Sequence, residues 1–292
     1  MSERRRGNLD GGRSELSAAE GGTISGRRPM TPVGAGHFEG VEITKRYAGL
    51  VANDAVDIEV RAGEVVGLIG PNGAGKTTLF DCVTGFTPLT SGRVVLDEED
   101  ITELPPAARA ELGMARTFQQ AKLFGHLTVA ENIVLGRHRH YRARAWQSAV
   151  GLGRAAEREA DAAGRQVAEE CGLGDVLDAP VGDLPYGTQR MVEVARALAT
   201  EPTILLLDEP GAGMDSGESA YFGQLIRRIH DERQLSMLII EHDVALVAAV
   251  CDRVYVLDFG RLIMEGTADE VRRDRRVRDA YLGSAAEEEE YV

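Results

Sequence analysis

The stretch Gly70-Pro71-Asn72-Gly73-Ala74-Gly75-Lys76-Thr77-Thr78 decides the fold of this chain. It fits the pattern G-x-x-x-x-G-K-[ST] and follows the apolar run Val65–Ile69, which predicts a buried strand. The glycines let the backbone wrap around an anion with its N–H groups pointing inward. A helix that begins within the motif adds a favourable field for negative charge. The stretch therefore predicts a strand, a phosphate-binding loop and a helix.

The polar side chains of this loop suit a nucleotide. Lys76 is placed to reach the β- and γ-phosphates, and the Thr77 hydroxyl is placed to ligate Mg²⁺. The other residues predicted to bind the phosphates are Gly70, Asn72, Gly73, Gly75 and Thr78. A glycine-rich turn with an exposed lysine is the alternative, but the predicted strand and helix on either side disfavour it. Lysine is also scarce, since it occurs only at positions 45, 76 and 122.

A second candidate element is the apolar run Ile204–Leu207, which ends in Asp208 and Glu209. Ligands of α/β sheets bind beyond the carboxyl ends of the strands, so Asp208 is predicted to face Mg²⁺ and Glu209 an attacking water. Two acids at a buried strand end are unfavourable unless a metal or hydrogen bonds compensate them. A solvated loop is the alternative. His242 follows the next strand, and both a structural role and a catalytic role are compatible with that position.

The rest of the body alternates strands with helices. Further strands are predicted over Val56–Val60, Arg93–Leu96, Met237–Ile240 and Val254–Leu257. Two helical faces are predicted, one with Met191, Val194, Ala195 and Leu198 and one with Phe222, Leu225, Ile226 and Ile229. Helix starts are predicted at Pro105-Pro106 and at Thr128, where Glu131 completes a capping box. Residues 141–172 are predicted to be helical throughout. The alternation predicts a parallel sheet covered by helices, with a helical insertion.

Composition narrows the class of protein. The chain has 292 residues, of which 43% are hydrophobic and 27% charged, so collagen-like and fully disordered classes are excluded. The longest apolar stretch, Val244–Cys251, is too short to cross a membrane. The net charge of −14 argues against a nucleic-acid partner. The three cysteines are far apart and are predicted to be buried in a reduced protein rather than paired.

The two ends differ from the body. Residues 1–36 are rich in Gly, Ser, Arg and Glu, which predicts a disordered leader. No apolar segment follows Arg4-Arg5-Arg6, so an export signal is not predicted. Residues 285–292 contain four consecutive glutamates and are predicted to be a solvated acidic tail. One domain is predicted over residues 37–284, with its helical insertion at about 120–195.

The motifs, in the order in which they occur along the chain, resemble those of the ATP-binding subunits of ABC transporters, over roughly residues 38–284. The resemblance makes Tyr47 the residue that stacks on adenine. It identifies Arg116–Gln119 as the Q-loop. Gln119, the last residue of this loop, then corresponds to the family residue that senses Mg²⁺ and the attacking water. It makes Asp208 and Glu209 the metal-binding and catalytic acids. It assigns Leu184–Arg190 to the signature motif with Gly187, Gly211–Asp215 to the D-loop, and His242 to the switch histidine.

Finer features resemble one branch of that family. The block RTFQ…LF…LTV.EN, the Tyr-Gly form of the signature and the ending Ala280-Tyr281-Leu282-Gly283 are similar to those of branched-chain amino-acid importers. Related members of that branch serve urea, short amides and lipopolysaccharide export. The resemblance therefore implies an ATPase that powers an importer, with branched-chain amino acids or small amides as the solutes.

The resemblance also implies a fold, a mechanism and partners. The fold would be a P-loop NTPase core, a mostly parallel sheet flanked by helices, with an antiparallel β subdomain and a helical insertion. Two subunits, from this chain or a second ATPase, would pair head to tail around ATP and Mg²⁺. Lys76, Thr77, Gln119, Glu209 and His242 would come from one subunit, and the signature helix near Gly187 from the other. Membrane permease subunits would dock around Ala121–Leu135 and on the helical insertion, at the cytoplasmic face of the membrane, and an extracytoplasmic solute-binding protein would act through them.

The signature departs from the usual Leu-Ser-Gly-Gly-Gln of the family. Pro185 stands at the serine position and has neither a hydroxyl nor an N–H donor. Tyr186 replaces the first glycine, and Thr188 replaces the glutamine. Because of this departure, a second function remains an alternative, that of a weakly hydrolysing, nucleotide-gated partner subunit. A soluble ABC protein acting on ribosomes or DNA is the third reading, which the net charge and the single cassette disfavour.

Overall fold

The computed structural model describes residues 36–119, 122–137 and 153–281. Within these ranges, six strands form the larger sheet. They are β3 (Val65–Ile69), β6 (Met114–Arg116), β7 (Ile204–Asp208), β8 (Ser236–Ile240), β9 (Arg253–Asp258) and β10 (Arg261–Gly266). Their order is β10-β9-β3-β8-β7-β6, and all neighbours are parallel except β10, which pairs antiparallel with β9.

The centre of this sheet is buried on both faces. Every residue of β3, β7 and β8 is buried, which is why these strands read as continuous apolar runs rather than as alternating patterns. The strands predicted from those runs are confirmed. Because parallel strands end at the same edge, the loops after β3, β7 and β8 gather on one side of the molecule.

A smaller, antiparallel sheet lies in the amino-terminal part of the described chain. It consists of β1 (Phe38–Tyr47), β2 (Leu50–Val60), β4 (Ser91–Leu96) and β5 (Glu99–Asp100), in the order β2-β1-β4-β5. The alternating burial of β2 places Val56 and Ile58 in one apolar cluster with Phe80. The predicted antiparallel subdomain is therefore confirmed.

Helices cover the larger sheet, and three of the described helices lie between β6 and β7 along the chain. The described helices are α1 (Lys76–Val83), α2 (Pro106–Glu111), α3 (Val129–Gly136), α4 (Gly153–Glu170), α5 (Tyr186–Leu198), α6 (Ser216–Arg233), α7 (Val244–Val250) and α8 (Ala268–Arg273). The predicted capping box at Thr128 and Glu131 is present at the start of α3. Asp215 and Glu218 form a second one at α6.

The predicted helical insertion corresponds to α3, α4 and α5, which lie between β6 and β7 in the chain. Their buried side chains share one apolar cluster that includes Ile133, Val167 and Met191. The prediction of helix through residue 172 is wrong at its end, because α4 stops at Glu170 and Cys171 and Gly172 form a turn. Gly172 adopts a left-handed φ of 68°, a conformation that typically ends a helix. Residues 141–152 of that prediction lie outside the described residues.

Several other predictions concern burial and the ends of the chain. Cys82 and Cys171 are buried as predicted, whereas Cys251 is only partly buried because it lies at the end of α7. No helix in the described ranges is both long and apolar enough to cross a membrane. The predicted leader, except for Gly36, and the predicted acidic tail lie outside the described residues.

Glu64, just before β3, provides a test of the fold that is independent of function. Its carboxylate accepts hydrogen bonds from Arg253 at 2.8 Å and from the Arg61 N–H at 3.0 Å. Burial alone would raise the pKa of Glu64, but Arg253 and the Arg61 N–H outweigh it and hold the pKa below its usual value. We expect Glu64→Gln to lower the free energy of unfolding at pH 7 by about 2 kcal/mol.

The loss of unfolding free energy in Glu64→Gln is expected to become smaller as the pH falls. Because the folded-state pKa of Glu64 is depressed, its stabilisation is present above the unfolded pKa of about 4.3 and is lost as the pH falls through the folded value. Urea unfolding of both proteins between pH 7 and pH 3 measures the difference. A difference that stays constant or grows on acidification would contradict this account.

Candidate nucleotide site

The loop between β3 and α1 has the backbone that phosphate binding requires. Gly75 adopts a φ of 97°, and a Cβ atom there would lie 2.4 Å from the Ala52 carbonyl oxygen. A Cβ atom on Gly70 would lie 2.1 Å from the Leu257 carbonyl oxygen. Both positions therefore require glycine, because a side chain would collide with backbone. Asn72, Gly73 and Thr77 are exposed on this loop, and Thr78 is half-buried.

Lys76 begins α1 and is folded back into its own loop. Only 7% of Lys76 is exposed, and its Nζ donates to the carbonyls of Gly70 at 2.7 Å and Pro71 at 2.9 Å. Burial lowers the pKa of Lys76, and the charge of Glu209 opposes that effect. The ammonium is thus held by neutral acceptors, which leaves a positive charge available to an anion in the loop.

Asp208, the last residue of β7, is bound to Arg116. The Arg116 Nη2 atom donates to Asp208 Oδ2 at 2.8 Å, and Asp208 is only 2% exposed. The same guanidinium donates to Asp81 at 2.6 Å and to the Thr84 hydroxyl at 2.9 Å. Burial raises the pKa of Asp208, and the hydrogen bond and charge of Arg116 act against it. Arg116 therefore supplies the compensation that Asp208 needs at a buried strand end.

Gln119 and Glu209 meet although they are far apart in sequence. The Gln119 amide Nε2 donates to Glu209 Oε2 at 2.9 Å. Glu209 has a left-handed φ of 45°, which is costly for a residue with a side chain, and its N–H donates to the Ile240 carbonyl at 3.0 Å. His242 follows β8 at the same edge, with 59% of its side chain exposed. The predicted catalytic groups therefore line one edge of the larger sheet.

Tyr47 lies at the end of β1 and is 46% exposed. The Nζ atom of Lys45 lies 4.7 Å from the centre of the Tyr47 ring and also donates to the Pro88 carbonyl at 2.8 Å. An exposed aromatic ring with a cation on one face remains able to stack with a base on its other face.

The signature motif lies elsewhere in the molecule. Pro185 precedes α5, and its carbonyl accepts the Gln189 N–H at 3.0 Å, as at an ordinary helix start. Gly187, in the first turn of α5, lies beside Glu218 of α6 rather than in the phosphate loop. Within its own chain, Gly187 thus faces α6.

Sequence reasoning missed a buried ion pair on α5. Arg190 and Glu193 are 2% and 3% exposed, and Arg190 Nη1 lies 3.1 Å from Glu193 Oε2. Glu193 accepts the Phe118 N–H at 3.0 Å, and Arg190 donates to the carbonyls of Phe118 and Gln119. The signature helix therefore holds the Q-loop backbone. The only signal in the sequence was Glu193, which interrupts the apolar run Met191–Ala195 of this helix.

Together, the phosphate loop, the acids at the end of β7 and the histidine after β8 define a P-loop nucleotide hydrolase with the arrangement of an ATP-binding cassette. The model of the family described as ABC transporter matches residues 53–212, which is more than half of the chain. The chain therefore belongs to the ABC transporter family, as an ATP-binding subunit that hydrolyses ATP. A second model, described as branched-chain amino acid ATP-binding cassette transporter, matches residues 261–287.

Individual relatives agree with this placement. The chain is 40% identical over 245 residues to the high-affinity branched-chain amino acid transport ATP-binding protein BraF of Pseudomonas aeruginosa, which covers 83% of this chain and 96% of BraF. It is 37% identical to the lipopolysaccharide export system ATP-binding protein LptB of Escherichia coli, over 82% of this chain and 95% of LptB. The solved ADP conformation of MJ1267, an ATP-binding cassette of an ABC transporter, superposes with a TM-score of 0.74 at 30% identity, covering 85% and 99% of the two chains.

Proposed function

We propose that this chain binds and hydrolyses Mg-ATP to power an ABC importer of branched-chain amino acids or related small amides, at the cytoplasmic face of the membrane. The observation that supports ATP hydrolysis is the hydrogen bond of 2.9 Å between Gln119 and Glu209. These two residues lie at the edge of the sheet that also bears the phosphate loop with Lys76. A carboxylate in that position acts as the general base for the attacking water.

The other residues have roles that follow from their chemistry. Lys76 binds the β- and γ-phosphates, and His242 faces the γ-phosphate. Thr77, Gln119 and Asp208 would hold Mg²⁺ through the hydroxyl, amide and carboxylate oxygens that this ion prefers, while Arg116 is bound to Oδ2 of Asp208. When bound, the ion neutralises charge on the β- and γ-phosphates.

The separation of Gly187 from the phosphate loop supports a head-to-tail dimer. An N-terminal helix turn attracts phosphate, but the start of α5 lies beside Glu218, where its own nucleotide is not expected. A second subunit would bring its own α5 to the nucleotide of the first. ATP would hold the two subunits together, and hydrolysis would release them.

A groove beside the Q-loop supports a permease partner. The groove has a volume of about 440 Å³ and lies between α2, β6, α3 and α5. Its lining includes the exposed ring of Phe86, the half-exposed Leu135, and Phe118 of the Q-loop. An apolar helix end of a membrane subunit would fill such a groove. The Q-loop on its wall would then connect the docked permease to Glu209.

The solute is inferred from relatives alone. BraF is named for branched-chain amino acids and LptB for lipopolysaccharide, so overall identity does not separate the two cargoes. The match of residues 261–287 to the branched-chain family model favours the amino acid.

An affinity pull-down tests this proposal. The Glu209→Gln chain is bound to ATP and recovered in mild detergent from its native membranes, and its partners are identified by mass spectrometry. Polytopic membrane subunits, a second cassette and an extracytoplasmic binding protein would support an importer, and binding of labelled leucine by the recovered binding protein would support the solute. Ribosomal or DNA-linked partners, or membrane partners of an exporter without a binding protein, would overturn the proposal.

Tyr47 gives a prediction for the adenine side of the site. We expect Tyr47→Ala to raise the KM for ATP by about tenfold with little change in kcat, because loss of base stacking costs about 1–3 kcal/mol. Tyr47→Phe should behave like the parent, since stacking needs the ring and not the hydroxyl. Steady-state phosphate release at varied ATP concentration measures both constants. An equal KM for the alanine and phenylalanine variants would remove Tyr47 from the adenine site.

A further inference from the structure

Glu241 is a fully buried carboxylate between two loops of the site. It follows β8 directly and is 0% exposed. Its Oε1 atom accepts the Gly211 N–H at 2.6 Å, and its Oε2 atom accepts the His242 N–H at 3.1 Å and the Asp243 N–H at 3.5 Å. One carboxylate thus joins the D-loop, Gly211–Asp215, to the loop of the switch histidine, residues 241–243.

A charge in this position is expensive for folding. Within the described chain, Glu241 forms no ion pair with lysine or arginine, and His242 Nδ1, at 3.7 Å from Oε2, is the nearest basic atom. Burial raises the pKa of Glu241, and the hydrogen bonds from Gly211 and His242 only partly offset it. An apolar side chain would fill the same space, beside Leu246, without desolvating a carboxyl group. The hydrogen bonds to both loops are therefore what Glu241 provides.

The D-loop is held at its far end by Asp215, which caps α6, and internally by the Met214 N–H, which donates to the Gly211 carbonyl at 3.1 Å. Gly211 and Gly213 are two of its five residues, and Gly213 has a left-handed φ of 81°. A Cβ atom on Gly213 would lie 3.1 Å from the ring of Tyr186, so the D-loop passes directly over the signature motif. Without the Glu241 hydrogen bond, the amino-terminal end of this loop at Gly211 would no longer be tied to the loop of the switch histidine.

We propose that Glu241 is a positioning residue that couples the switch loop of one subunit to its D-loop, and through the D-loop to the partner subunit. The coupling rests on the head-to-tail dimer of the proposed function, because the D-loop lies against Tyr186 of the signature motif, which would face the nucleotide of the partner in that dimer. Nucleotide bound beside His242 would fix the switch loop, Glu241 would fix Gly211 with it, and the D-loop would then be ordered for dimer formation.

Glu241→Gln separates this role from nucleotide binding. Glutamine keeps one acceptor oxygen but places an NH₂ group against the remaining N–H donors, so only one of the two loops stays held. In the Glu209→Gln background with Mg-ATP, we expect the added Glu241→Gln change to raise the dimer dissociation constant about tenfold, as for the loss of a hydrogen bond to a charged group. ATP binding by the dilute monomer should be unchanged. Analytical ultracentrifugation and equilibrium ATP binding provide the two readouts.

Glu64→Gln, in the same background, is the matched control. Glu64 also accepts a backbone N–H, from Arg61 at 3.0 Å, but it lies at the end of β3 opposite the phosphate loop. This control should lose stability yet keep the dimer constant of the parent. A Glu241→Gln dimer as tight as the parent would overturn the coupling, and so would an equal loss of monomer ATP binding. A parent that does not dimerise with ATP would instead overturn the proposed function, and the coupling with it.

Discussion

Glu209→Gln is expected to slow ATP hydrolysis by about 10²–10⁴-fold, the usual contribution of a general base. The amide cannot take a proton from water, yet its oxygen can still accept the hydrogen bond that Gln119 now gives at 2.9 Å. The site should therefore keep its shape while losing its chemistry. Phosphate release at saturating Mg-ATP measures the rate, and gel filtration of the same variant with ATP should show an accumulated dimer.

A control for this variant is available at a distant glutamate. Glu270 caps α8 by accepting the Thr267 N–H at 2.8 Å and is exposed, so Glu270→Gln changes the same atoms outside the site. Its turnover should equal that of the parent. If Glu209→Gln hydrolysed ATP at the parental rate, Glu209 would not be the catalytic base.

Arg116→Met is expected to have the second large effect, on both stability and turnover. The guanidinium forms ion pairs with Asp208 at 2.8 Å and Asp81 at 2.6 Å and lies about 5 Å from the rings of Phe80, Phe86 and Phe118. Removing one partner of a buried ion pair costs about 3–5 kcal/mol.

The loss of turnover follows from Asp208. Removing Arg116 would take away the hydrogen bond and the charge that oppose the effect of burial on the pKa of Asp208, and a carboxyl group that protonates more readily is a poorer ligand for a cation. We therefore expect the variant to need a higher Mg²⁺ concentration for half-maximal turnover. Thermal or urea unfolding and a magnesium titration of the ATPase rate measure the two effects.

Arg227→Met is the control variant for Arg116→Met. It pairs with Asp252 at 2.8 Å, but 38% of its side chain is exposed, and exposed pairs contribute about 0–1 kcal/mol. Arg227→Met should therefore leave both readouts near the parental values. If Arg116→Met lost no more stability than Arg227→Met, the Arg116 pairs would not hold the end of β7 in place.

The parts of the site that are local in sequence could be predicted. The phosphate loop carries its strand, glycines and helix within one short stretch, and the apolar run of β7 ends directly at its acids. The parallel sheet then brings these strand ends together without further information, because its strands share one direction. The head-to-tail dimer and the individual roles of Lys76, Gln119 and Glu209 remain predictions.

The parts that depend on pairing across the chain could not be predicted. Arg116 and Asp208 are 92 positions apart, and Gly211 and Glu241 are 30 positions apart. Neither the periodicity nor the composition of the sequence indicates which donor lies beside a given buried charged group. The turn at Cys171 and Gly172 was missed for a related reason, since alanine-rich composition continues to favour helix up to the residue where φ changes sign.

The scarcity of lysine has a practical consequence for chemical modification. The side-chain amines lie at Lys45 beside the Tyr47 ring, at Lys76 in the phosphate loop, and at Lys122, whose Nζ is 4.6 Å from the centre of the Phe118 ring. An acylating reagent can thus modify lysine only beside Tyr47, in the phosphate loop or beside Phe118. Lys122 is exposed and Lys76 is buried, so Lys122 should react first. Mass spectra of acylated protein would then give a footprint of nucleotide occupancy at Lys76 and of partner docking at Lys122.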